Sequence, residues 1–176
     1  RGIALIDLDR PADAIGSLEK TLEIDPGHAA AWHTKGLALV ELGRHEEALR
    51  ALDRALELAP RDTGGWHAKG LVLLELKRYD PALSAFDHAI EIDPRDAGAL
   101  YSRGIALMEM KRYPAALEAL DRALAIDPSH PGAWSLKGQA LIDLERFGDA
   151  LAALDRALEI DAAQGGPWYS RGVALE

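Results

Sequence analysis

Residues 29–62 read AAAWHTKGLALVELGRHEEALRALDRALELAPRD, and variants of this stretch return every 34 residues along the chain. Tryptophan and glycine each keep a fixed place in the repeat. The tryptophan positions are Trp32, Trp66, Trp134 and Trp168, with Leu100 in the missing place. The glycine positions are Gly2, Gly36, Gly70, Gly104, Gly138 and Gly172. A period of about 20–50 residues indicates a stacked array of small units rather than one globular core.

The repeat divides the chain into four complete units and a partial unit at each end. The complete units are 29–62, 63–96, 97–130 and 131–164, and the partial units are 1–28 and 165–176. Both ends cut through the same unit, and the chain does not start with methionine. We therefore expect a single array over 1–176 that is an excerpt from a longer one.

Each unit is predicted to form two helices joined by a turn. The first half of the quoted unit places Trp32, Gly36 and Leu39 on one face of a helix, because they are spaced at i, i+4 and i+7. The second half places Ala48 and Leu52 on one face in the same way, and a proline follows, which ends a helix. The glycine and alanine positions allow two helix backbones to approach closely, and the large apolar residues fill the space between them.

This pattern resembles the tetratricopeptide repeat over the entire chain. The matching residues of the quoted unit are Trp32, Gly36, Leu39, Ala48, Leu52, Ala55 and Pro60. Two positions depart from the pattern, Leu100 in place of tryptophan and Ala162 in place of proline. The resemblance implies an all-α, right-handed superhelical solenoid of helix-turn-helix repeats. It also implies that the first helices line a concave groove, which is usually a binding site for a protein or peptide.

Composition excludes several functional classes. The net charge of −9 and the pI near 5.1 argue against nucleic acid as a partner, because phosphates require a basic surface. The apolar stretches are too short to span a membrane, and cysteine is absent, so we expect a cytoplasmic protein. Nucleophile, phosphate-loop and zinc-hydrolase motifs are also absent. We therefore predict no catalytic residues, no metal, no cofactor and no enzyme activity.

The face of the first helix opposite the tryptophan is predicted to line the groove, and it is apolar. One apolar column consists of Ile3, Leu37, Leu71, Ile105, Gln139 and Val173, with glutamine as its one polar member. The next consists of Ile6, Val40, Leu74, Met108 and Ile142. Contiguous exposed apolar side chains normally mark an interaction site. The alternative is that a tight superhelix buries them against neighbouring first helices.

Two further columns on this face carry polar side chains. The acidic column consists of Asp7, Glu41, Glu75, Glu109 and Asp143. It either stays solvated and structural or attracts a basic partner. The other column consists of His33, His67, Tyr101, Ser135 and Tyr169. Two histidines on adjacent repeats could share a metal ion, but the spacing fixes no third ligand, so contacts with a peptide are the preferred interpretation.

Two basic columns are predicted to form structural ion pairs. One consists of Arg1, Lys35, Lys69, Arg103, Lys137 and Arg171, and the other of Arg10, Arg44, Arg78, Arg112 and Arg146. Their expected partners are the recurring aspartates of the second helices, Asp53, Asp87, Asp121 and Asp155. Exposed pairs of this kind contribute little each.

The function predicted from these features is a scaffold for protein–protein interaction. Some tetratricopeptide domains hold the terminal carboxylate of a peptide with lysine and asparagine, and this chain has no asparagine. We therefore expect an internal or helical segment of a protein or peptide, basic and apolar in character. Two alternatives stay open. One is a self-assembling array that associates end to end through uncapped termini, and the other is a regulatory segment of a larger enzyme-containing protein.

Overall fold

A computed structural model of the chain describes residues 11–163 and 165–175. Within those residues there are ten α-helices and no strand. The expectations for Arg1, Gly2, Ile3, Ile6, Asp7 and Arg10 lie outside the described residues.

The helices belong to two compact units, with the boundary between Ile92 and Asp93. Unit 1 contains α1 (Pro11–Ile24), α2 (Ala29–Glu41), α3 (His45–Leu58), α4 (Thr63–Glu75) and α5 (Tyr79–Ile92). Unit 2 contains α6 (Ala97–Glu109), α7 (Tyr113–Ile126), α8 (Pro131–Asp143), α9 (Phe147–Ile160) and α10 (Gly165–Val173). Each first helix of a repeat (α2, α4, α6, α8 and α10) begins at the first residue of a repeat unit. That all the repeats form one continuous array stays a prediction.

The glycine column marks where the two helices of a repeat meet. A Cβ atom added to Gly36 would lie 2.7 Å from Leu52 Cγ, and one added to Gly138 would lie 2.6 Å from Leu154 Cγ. The same close approach joins Gly70 to Phe86. Leu52, Phe86 and Leu154 are fully buried. The predicted close packing of the glycine column is therefore confirmed at these positions.

The turn between the two helices has the same geometry in each complete repeat. In the first of them, the backbone N–H of Gly43 donates to Val40 O and that of Arg44 donates to Leu39 O, the Schellman arrangement. The residue at the Gly43 position has a positive φ each time. These residues are Gly43, Lys77, Lys111 and Glu145, with φ between 57° and 69°. Because only one of the four is glycine, the other three repeats hold a side chain in a left-handed conformation that costs stability.

The tryptophan column lies at the edge of the core rather than in its centre, which corrects the sequence-based expectation. Trp32, Trp66 and Trp134 are half-buried and Trp168 is 54% exposed. Each indole N–H donates to the backbone carbonyl six residues earlier. The N–O distances are 3.0 Å from Trp32 to Pro26, 2.9 Å from Trp66 to Pro60, 2.9 Å from Trp134 to Pro128 and 3.2 Å from Trp168 to Ala162. An indole N–H needs a hydrogen-bond acceptor when the ring is largely buried. The ring therefore lies at the rim of the repeat, where a backbone carbonyl accepts from it.

The basic residues before the glycines pair with carboxylates of the preceding second helix. The N–O distances are 2.8 Å for Lys35–Glu19, 2.7 Å for Lys69–Asp53, 2.6 Å for Lys137–Asp121 and 2.7 Å for Arg171–Asp155. At the turns, Arg44 pairs with Glu47, and its hydrogen bond to that carboxylate lowers the pKa of Glu47. The predicted ion-pair role is confirmed for these residues, but Arg44 pairs with Glu47 in the first turn of α3 and not with one of the predicted aspartates.

Candidate functional site

The candidate site is the surface of the first helices that points away from their second helices, termed the first-helix face. In unit 1 this face is formed by α2 and α4, which contact each other. Leu37 on α2 and Leu71 on α4 are 40% and 39% exposed. Val40 and Leu74, one turn further along, are half-buried. The face of unit 1 therefore presents two exposed leucines above a half-buried apolar layer.

In unit 2 the first-helix face is formed by α6, α8 and α10, and its apolar residues are more covered. Ile105, Met108 and Ile142 are half-buried. Met108 and Ile142 pack against a buried cluster drawn from α7, α8 and α9. Val40 packs in the same way on the core of unit 1. The column that contains Val40, Met108 and Ile142 therefore contributes both to the core and to the surface. The repeat pattern alone does not show which of these two roles a position has.

Carboxylates lie at the ends of the first helices beside these apolar residues. Glu41 and Glu75 are exposed in unit 1, and Glu109 and Asp143 are exposed in unit 2. His45 Nδ1 lies 3.3 Å from Glu75 Oε2, without the geometry of a hydrogen bond. Gln139 Nε2 donates to Asp143 Oδ2 at 3.5 Å, and Gln139 Oε1 accepts from Ser170 Oγ at 3.2 Å. Gln139 thus links two first helices of unit 2.

The histidine and tyrosine column contacts other parts of the protein. His33 Nδ1 lies 2.8 Å from Oδ2 of Asp62, the residue that precedes α4. The His67 ring meets the Phe86 ring edge-on, with centroids 5.8 Å apart. In unit 2 the Tyr101 ring lies 4.5 Å from the His130 ring, and burial raises the pKa of the Tyr101 phenol. His33 and Tyr101 thereby reach the loop that opens the next repeat, so they hold consecutive repeats together.

The last two members of this column lie on the first helices of unit 2. Ser135 is half-buried on α8, and Tyr169 is 78% exposed on α10. No three His, Cys, Asp or Glu side chains in the described residues are grouped so that they could hold a metal ion.

A second kind of surface feature was not predicted from the sequence. A crevice with a tryptophan wall recurs at the same repeat positions, with volumes of about 300, 430 and 470 Å³. The α2 crevice is lined by Trp32 and Lys35, the α4 crevice by Trp66 and Lys69, and both lie in unit 1. The α8 crevice of unit 2 is lined by Trp134, Lys137 and residues of α7 and α9. The 34-residue spacing of tryptophan and lysine is the available signal, but by itself it predicts core packing for the tryptophans and ion pairs for the lysines rather than a crevice.

The sequence and the fold both match known helical-repeat proteins. A family model described as Tetratricopeptide repeat matches residues 5–71, 73–140 and 107–169. Among solved structures, MamA from Desulfovibrio magneticus RS-1 matches with a TM-score of 0.85 at 23% identity, over 93% of this chain and 93% of that one. No curated protein matches the sequence.

Two further solved structures are similar. YrrB, described as a TPR protein with an unusual peptide-binding site, has a TM-score of 0.83 at 23% identity, over 97% of this chain and 88% of that one. TTC0263 from Thermus thermophilus, a thermophilic TPR protein, has a TM-score of 0.74 at 24% identity, over 99% and 95%. At these identities the similarity concerns the fold.

The fold and the recurring surfaces define an all-α repeat protein of the scaffold class. The chain belongs to the tetratricopeptide repeat family, because the family model covers most of its length. Among the described residues, no helix combines the length and the apolar character needed to cross a membrane.

Proposed function

We propose that this protein is an interaction scaffold that binds a peptide or helical segment of a partner protein on its first-helix face. The observation that carries the proposal is the pair of exposed leucines, Leu37 and Leu71, on adjacent helices of unit 1 with Glu41 and Glu75 beside them. Apolar side chains of the partner would cover the leucines. The carboxylates would select basic residues on either side of that apolar segment.

The two parts of this surface contribute differently to binding. Covering exposed leucine side chains removes apolar area from water, at about 25 cal/mol per Å². The exposed carboxylates act over a longer range, so they increase the association rate and orient the partner more than they increase affinity. Binding should therefore weaken as the salt concentration rises, while the apolar contribution persists.

The absence of asparagine favours an internal segment over a terminal carboxylate as the bound element. The recurring acidic residues also disfavour a terminal carboxylate at this face, because like charges repel. A cytoplasmic location and the absence of enzyme activity, both expected from the sequence, stay predictions.

The test is selection of binding peptides from a random display library, followed by affinity measurement on variants. Peptides selected on the wild-type protein should be rich in aliphatic, Lys and Arg residues. Leu71→Asp should weaken their binding by about tenfold or more, because it buries a charge in place of an apolar side chain. Ile24→Asp is the matched control, since Ile24 is 87% exposed on α1, outside the first-helix face.

Circular dichroism distinguishes loss of binding from loss of folding. Leu71→Asp should keep the helical signal of the wild type, since Leu71 is already exposed to solvent. Equal binding by Leu71→Asp and wild type would exclude the first-helix face as the binding site. An equal loss of peptide affinity in Leu71→Asp and Ile24→Asp would show that the added negative charge, rather than its place on the first-helix face, controls binding.

End-to-end self-association is a second candidate, favoured by the surface of α10. Trp168 and Val173 on this helix are 54% and 40% exposed, and a Cβ atom added to Gly172 would have no neighbour within 4 Å. An apolar helix from a second copy could pack there. Sedimentation velocity should then show a sedimentation coefficient that rises with concentration and falls back in Trp168→Asp. A concentration-independent monomer would exclude this candidate.

A further inference from the structure

One ionisable pair joins the first-helix face of unit 1 to the second helix of the preceding repeat. His45 is the first residue of α3, and Glu75 is the last residue of α4. His45 Nδ1 lies 3.3 Å from Glu75 Oε2, which is the distance of an ion pair when the ring is protonated. Because Glu75 is one of the two carboxylates beside the exposed leucines, this histidine contacts the surface proposed for binding.

A second contact between the same two repeats keeps this pair together. Arg78 follows α4, and its Nη2 donates to Oε1 of Glu46 in the first turn of α3 at 2.6 Å, while its Nη1 donates to Oε2 at 3.4 Å. A guanidinium that binds a carboxylate through two nitrogen atoms fixes its orientation as well as its position. The start of α3 and the end of α4 therefore stay adjacent, whichever charge His45 carries.

The ring nitrogen that faces Glu75 is buried and lacks a hydrogen-bond partner. The side chains of His45 and Glu75 are both partly exposed, so water reaches the ring and the carboxylate has room to move. A small shift of the carboxylate gives a protonated ring a charge-assisted hydrogen bond at Nδ1, the stronger kind of hydrogen bond. A buried polar atom without a partner is unfavourable, so the geometry favours this contact once the ring is charged.

The other charged groups near His45 come from α3 itself and from the two helices that pack on it, α2 and α4. They are Arg44, Glu46 and Glu47 at the start of α3, Glu41 at the end of α2, and Glu75, Lys77 and Arg78 at and after the end of α4. Arg44 pairs with Glu47, and Arg78 pairs with Glu46. Within the described residues, no lysine or arginine pairs with Glu75. Glu75 is therefore the carboxylate that a protonated His45 can use, and it offsets the dipole of α3, which disfavours a positive charge at this end.

A histidine at this place is particular to one repeat. The second helices α3, α5, α7 and α9 begin with His45, Tyr79, Tyr113 and Phe147. Of these side chains, the histidine alone changes charge between about pH 5 and pH 8. The residue in the same position relative to Glu41 is Pro11, and relative to Asp143 it is Tyr113. Among these three acidic residues, the pairing with a histidine is specific to Glu75.

We propose that His45 makes the first-helix face of unit 1 sensitive to pH, because it competes with a basic partner for Glu75. A protonated His45 ring pairs with Glu75 and offsets its charge, so a Lys or Arg of the partner is attracted less strongly. A neutral ring leaves the carboxylate to the partner. Binding of a basic segment therefore releases a proton from His45, and the affinity falls as the pH is lowered. This inference rests on the proposed function, since it concerns the same surface.

The first measurement follows the free chain by NMR and needs no partner. Between about pH 5.5 and pH 8, the side-chain carboxyl ¹³C signal of Glu75 should shift together with the ring signals of His45. His45→Phe, which places at this position the residue found at Phe147, should remove that shift. His88→Phe is the matched control and should keep it, because His88 is exposed on α5, outside the first-helix face. The same Glu75 shift in wild type and His45→Phe would overturn the proposal.

The second measurement uses a basic peptide selected from the display library. Between about pH 8 and pH 5.5, its affinity should fall about threefold more for wild type than for His45→Phe, the size expected for one partly exposed ion pair. Isothermal titration calorimetry at about pH 6.5, in two buffers with different heats of ionisation, should detect more proton release from wild type. His33 and His67 lie on the same face, but both proteins contain them, so their contribution cancels in the comparison.

Two carboxylate variants separate the outcomes. Glu41→Gln and Glu75→Gln should both weaken the peptide, but only Glu75→Gln should remove the pH dependence that depends on His45. Equal pH dependence in wild type and His45→Phe would overturn this proposal and leave the first-helix face as the binding site. If Leu71→Asp does not weaken binding, the proposed function fails, and the NMR measurement on the free chain still decides whether His45 controls the charge at Glu75.

Discussion

Phe86→Ala is expected to lower the free energy of unfolding of unit 1 by about 3–5 kcal/mol. Phe86 is fully buried, and its ring lies directly against the backbone at Gly70. Alanine would leave a cavity there, and the close-packed helices α4 and α5 cannot collapse fully into it. Chemical denaturation measures the change, and hydrogen exchange in α4 and α5 assigns it to unit 1.

Two companion variants make the expectation specific. Phe86→Leu should cost much less than Phe86→Ala, because leucine occupies the equivalent position in other repeats, at Leu52, Leu120 and Leu154. Ile24→Ala should have almost no effect, since Ile24 is 87% exposed. A loss below about 1 kcal/mol for Phe86→Ala would contradict the packing described here.

Gly138→Ala is expected to destabilise unit 2 by about 1–3 kcal/mol. The added methyl group would lie 2.6 Å from Leu154 Cγ, so α8 and α9 would have to separate. Gly172→Ala is the matched control, because nothing lies within 4 Å of the added atom. Alanine is the better helix former, so this control should be neutral or slightly stabilising.

The double variant Gly138→Ala with Leu154→Ala tests the cause. If the clash between these two side chains is responsible, the double variant should be more stable than the sum of the single changes predicts. Strict additivity, or destabilisation by Gly172→Ala as large as that by Gly138→Ala, would show that the loss of stability does not come from close packing of position 138 against Leu154.

The helices and their pairing could be predicted because small and large residues alternate at fixed repeat positions. Gly36 and Leu52 illustrate this, because the glycine has no side chain and the leucine side chain occupies the space beside it. The ion pairs of Lys69 and Lys137 were predictable for the same reason, because their aspartate partners share the period.

The surface was harder to predict, because a period does not tell which side chains remain exposed. Leu37 and Val40 look alike in the sequence, yet Leu37 is 40% exposed while Val40 packs on the core. His33 is predicted to lie on the ligand-binding face, and its contact with Asp62 of the loop before the next repeat adds a structural role that the sequence does not predict. Such contacts depend on how neighbouring repeats stack. A helical wheel of one repeat shows only the faces of its own helices and gives no information on this stacking.

The tryptophan crevices were missed for a related reason. A large aromatic residue in a regular pattern is usually buried, so the repeat predicts that Trp134 lies in the core. The indole N–H requires an acceptor, and the one it reaches is the Pro128 carbonyl at the rim of the repeat. The joint recurrence of tryptophan, proline and lysine was the signal for this arrangement.

The most direct test of the central claim is the ratio of affinities of a library-selected basic peptide for wild type and Leu71→Asp. The account predicts a ratio of about ten or more, with Ile24→Asp equal to wild type and the helical signal unchanged in all three proteins. A ratio near one would show that the peptide binds elsewhere and would contradict the assignment of the first-helix face as the binding surface.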